Sequence, residues 1–102
     1  MDDNMTGLKP LTIAIDFDDT YTADPELWTS FMNQAESRGH KVICVTARYF
    51  TLENKEELKA TLPPKTLIYF TSMGSKMDYM ASQGVKVDIW IDDSPRVVVH
   101  GV

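Results

Sequence analysis

Acidic residues stand directly after two apolar stretches of this 102-residue chain. Asp16 and Asp18 follow the first stretch, and Asp92 and Asp93 follow the last one. Carboxylates at such positions can act as nucleophiles, as general acids and bases, or as ligands of a hard cation. If the four meet in space, they repel one another and favour a divalent cation, and their oxygen atoms suit Mg²⁺. The sequence therefore predicts Mg²⁺ as the cofactor.

The apolar stretches beside these acids predict buried strands. Leu11 to Ile15 is apolar and rich in β-branched residues, as in a strand covered on both faces of a parallel sheet. Three later runs share this character, at residues 41–46, 66–70 and 87–91. Helix start and stop signals bound three intervening segments, from Asp24-Pro25 to Gly39, from Leu52 to Leu62 and from Ser75 to Gly84.

Strands and helices alternate along the chain with short connections, which is typical of βαβ units with right-handed crossovers. This order predicts a Rossmann-like three-layer α/β/α sandwich with a mostly parallel sheet of four to five strands. The fifth strand is the tail Val97-Val98-Val99, which could form a short edge strand. A parallel sheet brings the C-terminal ends of its strands to one edge, where ligands bind in open α/β sheets. The residues predicted to meet there are Asp16, Asp18, Thr46, Lys76, Asp92 and Asp93.

Length and composition predict one globular domain over residues 1–102, with residues 1–9 as a flexible lead. Cys44 is the only cysteine, so no disulfide forms within the chain. The net charge of −5 argues against a nucleic-acid-binding surface, because phosphate backbones are bound by a surplus of Lys and Arg. The acidic first residues and the lack of a long apolar run predict a cytoplasmic protein without a membrane partner.

The order of these features resembles the haloacid dehalogenase-like (HAD) hydrolase superfamily over about residues 11–95. The first motif of that superfamily is an apolar strand ending in Asp-x-Asp-x-Thr, which residues 16–20 match. Its second motif is a strand ending in Thr or Ser, matched at Thr46, and its third is a lysine near a helix start, matched at Lys76. The fourth is a strand ending in paired acids, matched by residues 89–93.

This resemblance implies an Mg²⁺-dependent phosphomonoesterase that forms an aspartyl-phosphate intermediate. It assigns Asp16 as the nucleophile and Asp18 as the acid that protonates the leaving group and later takes a proton from water. Relatives that cleave carbon–halogen bonds lack this second acid and the metal. The presence of Asp18 therefore favours phosphoryl transfer.

The same resemblance implies roles for the other residues at the sheet edge. Thr46 would hydrogen-bond a phosphoryl oxygen, and Lys76 would neutralise charge on the phosphoaspartate. Arg48 either contacts the substrate phosphate or is solvated, and the sequence leaves both open. The implied metal ligands are the Asp16 carboxylate, the Asp18 backbone carbonyl and Asp92, with Asp93 as a further ligand or a supporting acid.

Neither of the two places where many HAD relatives insert a cap domain has room for one in this chain. An uncapped site suggests a large substrate, such as a nucleic-acid end or a protein, or a lid supplied by a neighbouring subunit. The expected partner is thus a phosphorylated small molecule or a phosphorylated macromolecule end, including nucleotides, with nucleic acid only as substrate. The oligomeric state stays open.

Two other functions remain as alternatives. A receiver-like phosphoacceptor domain also has acids after its first strand, but it needs an aspartate after the third strand, where this chain has Phe70-Thr71-Ser72. A non-catalytic module that binds metal and phosphate would keep the same residues without turnover. A calcium loop is excluded because Tyr21 and Leu27 occupy its required Gly and Glu positions.

Overall fold

A computed structural model describes residues 8–102 of the chain, so most of the predicted flexible lead lies outside the described residues. Strands and helices alternate as the sequence predicts, with a short 3₁₀ turn after the first strand. The elements are β1 (Thr12–Ile15), the 3₁₀ turn (Tyr21–Ala23), α1 (Pro25–Ser37), β2 (Lys41–Thr46), α2 (Leu52–Thr61), β3 (Ile68–Phe70), α3 (Lys76–Ser82), β4 (Ile89–Ile91) and α4 (Pro95–His100).

The four strands form one parallel sheet in the order β3-β2-β1-β4. β1 pairs with β2 on one side and with β4 on the other, so the strand order reverses beside it. Ile15 lies opposite Ile91 in β4, and the Asp16 amide continues the ladder by donating to the Ile91 carbonyl at 2.9 Å. The ends of β1 and β4 are therefore level at the switch point, where such sheets bind ligands.

Side chains pack on both faces of the sheet and make it the middle of three layers. One face contributes Ile13, Ile15 and Cys44 to a core shared with α1 and α2. The opposite face contributes Ile43 and Val45 to a core that includes the buried Met80 of α3. The predicted three-layer α/β sandwich is confirmed, with a sheet that is entirely parallel.

The predicted start signals cap the helices. The Asp24 carboxylate accepts from the Leu27 amide at 3.1 Å, with Pro25 in the first turn of α1, and the Ser75 hydroxyl accepts from the Asp78 amide at 3.1 Å at the start of α3. Thr51 caps α2 in the same way. No helix within residues 8–102 combines the length and the apolar character that a membrane span needs.

The prediction of a fifth strand at Val97-Val98-Val99 is wrong, because these residues lie in α4. Pro95 begins this helix, and Val98 is buried where α4 packs against α3. The Val98 carbonyl also accepts from the Ser75 hydroxyl at 3.2 Å. Docking against α3 thus overrides the preference of three consecutive valines for extended backbone.

Candidate active site

A buried lysine links the ends of β1 and β4. Lys76 is the first residue of α3 and only 2% exposed, and its Nζ donates to Asp16 Oδ1 at 2.8 Å and to Asp92 Oδ2 at 2.7 Å. Ser75 caps the helix immediately before it, and this cap fixes where the lysine side chain starts. The structure therefore brings together the predicted residues from the first, third and fourth motifs.

Thr20 holds Asp93 beside Asp16. Its hydroxyl lies 3.1 Å from Asp16 Oδ2 and 2.9 Å from Asp93 Oδ1, and it accepts from the Asp93 amide at 3.0 Å. The loop after β1 returns Thr20 to the sheet edge, since Tyr21 N–H donates to the Asp16 carbonyl. Because one hydroxyl carries one proton, Thr20 serves one of the two carboxylates at a time. The sequence did not predict this bridging role.

The acidic cluster at this edge fits a divalent cation. Oxygen atoms of Asp16, Asp92 and Asp93 all lie within 4.8 Å of one another. Lys76 is the one cation bonded to this triad among the described residues, so two negative charges are left over. A charge of that size and an all-oxygen donor set fit a hard divalent cation. The Asp18 carboxylate is not part of the triad. The sequence predicts the backbone carbonyl of Asp18, and not its carboxylate, as the metal ligand, and that role stays a prediction.

The two acids that share Thr20 have pKa values displaced in opposite directions. Burial raises the pKa of Asp16 from 3.8 to about 6, although the hydrogen bond and charge of Lys76 oppose that rise. The hydrogen bond from Thr20 lowers the pKa of Asp93. In the absence of metal, Asp93 is therefore the more readily ionised of the pair.

Arg48 makes a contact that the sequence did not predict. Its Nε and Nη2 donate to the two oxygens of Asp18 at 2.9 and 2.8 Å, a bidentate pair. Its Nη1 donates to Glu57 at 2.7 Å and to Asn54 at 3.0 Å, both in α2. The hydrogen bonds to Asp18 and Glu57 raise the pKa of Arg48. Arg48 is therefore held by neighbouring side chains, and its contact with a substrate phosphate stays a prediction. Asp18 itself is 48% exposed.

Thr46 lies beneath the site rather than in it. The residue is fully buried, and its hydroxyl accepts from the Arg48 amide at 3.3 Å. It is not among the residues that line the cavity of about 260 Å³ at this edge, where Asp16, Asp18 and Lys76 are found. The role of Thr46 in holding a phosphoryl oxygen stays a prediction.

Comparison of the chain with family models, with curated proteins and with solved structures finds no match. What can be said of the site therefore comes from its own residues. They provide a buried carboxylate, a lysine bound to it, a second acid at the cavity and a cluster suited to a divalent cation. These are the parts that covalent transfer of an anionic group requires.

Proposed function

We propose that this protein is an Mg²⁺-dependent phosphomonoesterase in which Asp16 is the nucleophile. The observation that carries the proposal is the position of Asp16 at the end of β1, where Lys76 bonds both Asp16 and Asp92 and the carboxylates of Asp16, Asp92 and Asp93 lie close together. The order of motifs that resembles the HAD superfamily supports the same reaction. Asp16, Asp92 and Asp93 would hold Mg²⁺. Its positive charge would reduce the repulsion between these three carboxylates and an approaching phosphate.

The chain's own residues account for the bonds that change. A carboxylate oxygen of Asp16 attacks phosphorus, and the ester bond to the leaving oxygen breaks as Asp18 gives that oxygen a proton. Water then attacks the phosphorus of the phosphoaspartate and passes a proton to Asp18. The bond between phosphorus and the Asp16 oxygen breaks, so the Asp16 carboxylate is restored and phosphate is released. Lys76 offsets the charge around Asp16 through both steps. Asp18 can act in this way because it is exposed and lines the cavity.

The test is phosphate release from 4-nitrophenyl phosphate, measured with Mg²⁺ and with a chelator. We expect turnover only with Mg²⁺ and its loss in Asp16→Asn, while Glu56→Gln, an exposed change in α2, behaves as wild type. Retained turnover in Asp16→Asn, with deamidation excluded by mass spectrometry, would contradict the assignment. A panel of nucleotides, oligonucleotides with terminal phosphates, sugar phosphates and phosphopeptides would then define the substrate.

The bidentate Asp18–Arg48 pair favours one second candidate, a module that binds phosphate and metal without turnover. Arg48 holds both carboxylate oxygens of Asp18, whereas protonating a leaving group needs one of these oxygens to reach the leaving oxygen. If the pair holds during binding, a phosphate would be held at the site and not hydrolysed. Mg²⁺-dependent binding of a phosphonate, combined with no turnover across the panel, would favour this candidate.

A further inference from the structure

A second cavity adjoins the acidic cluster. Its volume is about 280 Å³, and its apolar wall is formed by Ala23, Trp28 and Ile91. It shares Asp19, Asp92 and Asp93 with the cavity that contains Asp16 and Lys76. A ligand with its phosphoryl group near Asp16 can therefore extend across these acids into the apolar space.

The apolar wall suits a flat ring. Trp28 is half-buried, and Phe31 contacts it edge-on, with ring centroids 5.8 Å apart and planes at 84°. This contact orients the indole, so a ring can pack against it without first ordering the side chain. The cavity is open to solvent on one side, so a flat ring can enter it and lie against Trp28.

The polar groups of this cavity disfavour a second anion. Its charged side chains are the three aspartates that it shares with the cavity beside Asp16, and none of the lysines or arginines within residues 8–102 lines it. The hydroxyl of Thr20, which also lines the cavity, is already bonded to Asp93 and Asp16, and Trp28 adds only its indole N–H. Even with Mg²⁺ bound to Asp92 and Asp93, the remaining acid Asp19 would repel a further phosphate or carboxylate on the substrate.

From these features we infer that the substrate carries a flat aromatic leaving group with no second negative charge, which packs against Trp28 beside the acidic cluster. The inference rests on the proposed function, because it takes the phosphoryl group to bind at Asp16. It names the substrate class as aromatic phosphomonoesters with a single phosphate.

The kinetic test fills the cavity without disturbing the core. Ala23 is exposed and lines the cavity, so Ala23→Leu places its added carbons there. Ala60→Leu on the exposed face of α2 is the matched control. We expect Ala23→Leu to lower kcat/KM for 1-naphthyl phosphate by about tenfold. The value of kcat/KM for glycerol 2-phosphate should stay within about twofold of wild type. Trp28→Phe should lower the naphthyl value less, because it retains an aromatic face.

A binding test separates this inference from the proposed function. Calorimetry with Mg²⁺ compares (1-naphthyl)methylphosphonate with ethylphosphonate, neither of which can be hydrolysed at its phosphorus–carbon bond. The inference is supported if the naphthyl compound binds more tightly than ethylphosphonate and Ala23→Leu removes this difference. That result would stand even if no phosphate ester is turned over and the proposed function fails. The inference would be overturned if Ala23→Leu changed kcat/KM equally for both substrates and affinity equally for both phosphonates, or changed none of them. This holds even if Asp16-dependent hydrolysis is present. No binding of either phosphonate and no turnover would overturn both.

Discussion

Two ion-pair networks lie at the same edge of the sheet and differ in how much water reaches them. In the first, Lys76 joins Asp16 and Asp92, and the three side chains are 2%, 9% and 4% exposed. In the second, Arg48 joins Asp18 and Glu57, and the side chains are 22%, 48% and 56% exposed. Charges in the first network have little solvent to replace a lost partner, whereas those in the second have much more.

This difference assigns different tasks to the two networks. The buried network holds Asp16 in one place and carries an excess of negative charge that invites a cation. The exposed network can open, because each of its bonds can be replaced by water at low cost. A fixed nucleophile and a releasable acid are what the proposed reaction needs from Asp16 and Asp18. The following predictions test this contrast.

The largest effect is expected for Lys76→Met, which removes the cation from the buried network. Breaking a buried ion pair by deleting one partner costs about 3 kcal/mol or more, since the remaining carboxylates stay buried and uncompensated. Urea denaturation in a chelator should therefore show a large loss of unfolding free energy. Lys59→Met on the exposed part of α2 is the control, and its effect should be small.

Mg²⁺ sharpens the same experiment. The variant leaves the acidic triad with one more uncompensated charge than wild type, so added Mg²⁺ should raise its unfolding free energy by more than it raises that of wild type. Equal loss of stability in Lys76→Met and Lys59→Met would mean that the buried network contributes no more than an exposed charge.

The next effect concerns the pH dependence of stability. The pKa of Asp16 rises from 3.8 to about 6 on folding, so the folded state binds more protons than the unfolded state between these values. The unfolding free energy of the metal-free protein should therefore fall, through this group, as the pH rises from about 4 to about 6. A shift of about two pKa units corresponds to about 3 kcal/mol at most.

Asp16→Asn isolates this contribution because it removes the titrating group and keeps its size. Without metal, wild type should lose stability relative to Asp16→Asn as the pH rises across that window, measured by urea denaturation at each pH. The same variant is expected to abolish turnover, so the site would gain stability where it loses function. Parallel pH profiles for the two proteins would show that Asp16 is not held in a costly ionised state.

The buried network could be predicted from sequence, and the exposed one could not. Apolar runs that end in acids predict buried strands, and a parallel sheet brings their ends together, so Asp16, Lys76 and Asp92 converge as expected. The partner of Arg48 depends on how the loops after β1 and β2 face each other and on the position of α2. No local pattern encodes those distances.

The tail illustrates the same limit for secondary structure. Residues 97–99 favour extended backbone on local propensity, but packing of Val98 and the bond from Ser75 to its carbonyl hold them in α4. The packing comes from α3, and the hydrogen bond comes from its N-cap residue Ser75, 23 residues before Val98. The prediction failed because it weighed only neighbouring residues.

The smallest effect on stability is expected for Glu57→Gln, which tests whether the exposed network can open. Glu57 is exposed, so its loss should leave the urea midpoint unchanged, as should the control Glu56→Gln. Arg48 would then have Asp18 as its one carboxylate partner among the described residues, so their pair would open less readily and Asp18 would be less free to reach the leaving oxygen. Turnover of an alkyl phosphate should fall several-fold, because its leaving oxygen needs the proton. Turnover of 4-nitrophenyl phosphate should change little, because nitrophenolate leaves without one. Equal effects on the two substrates would mean that Arg48 does not control Asp18.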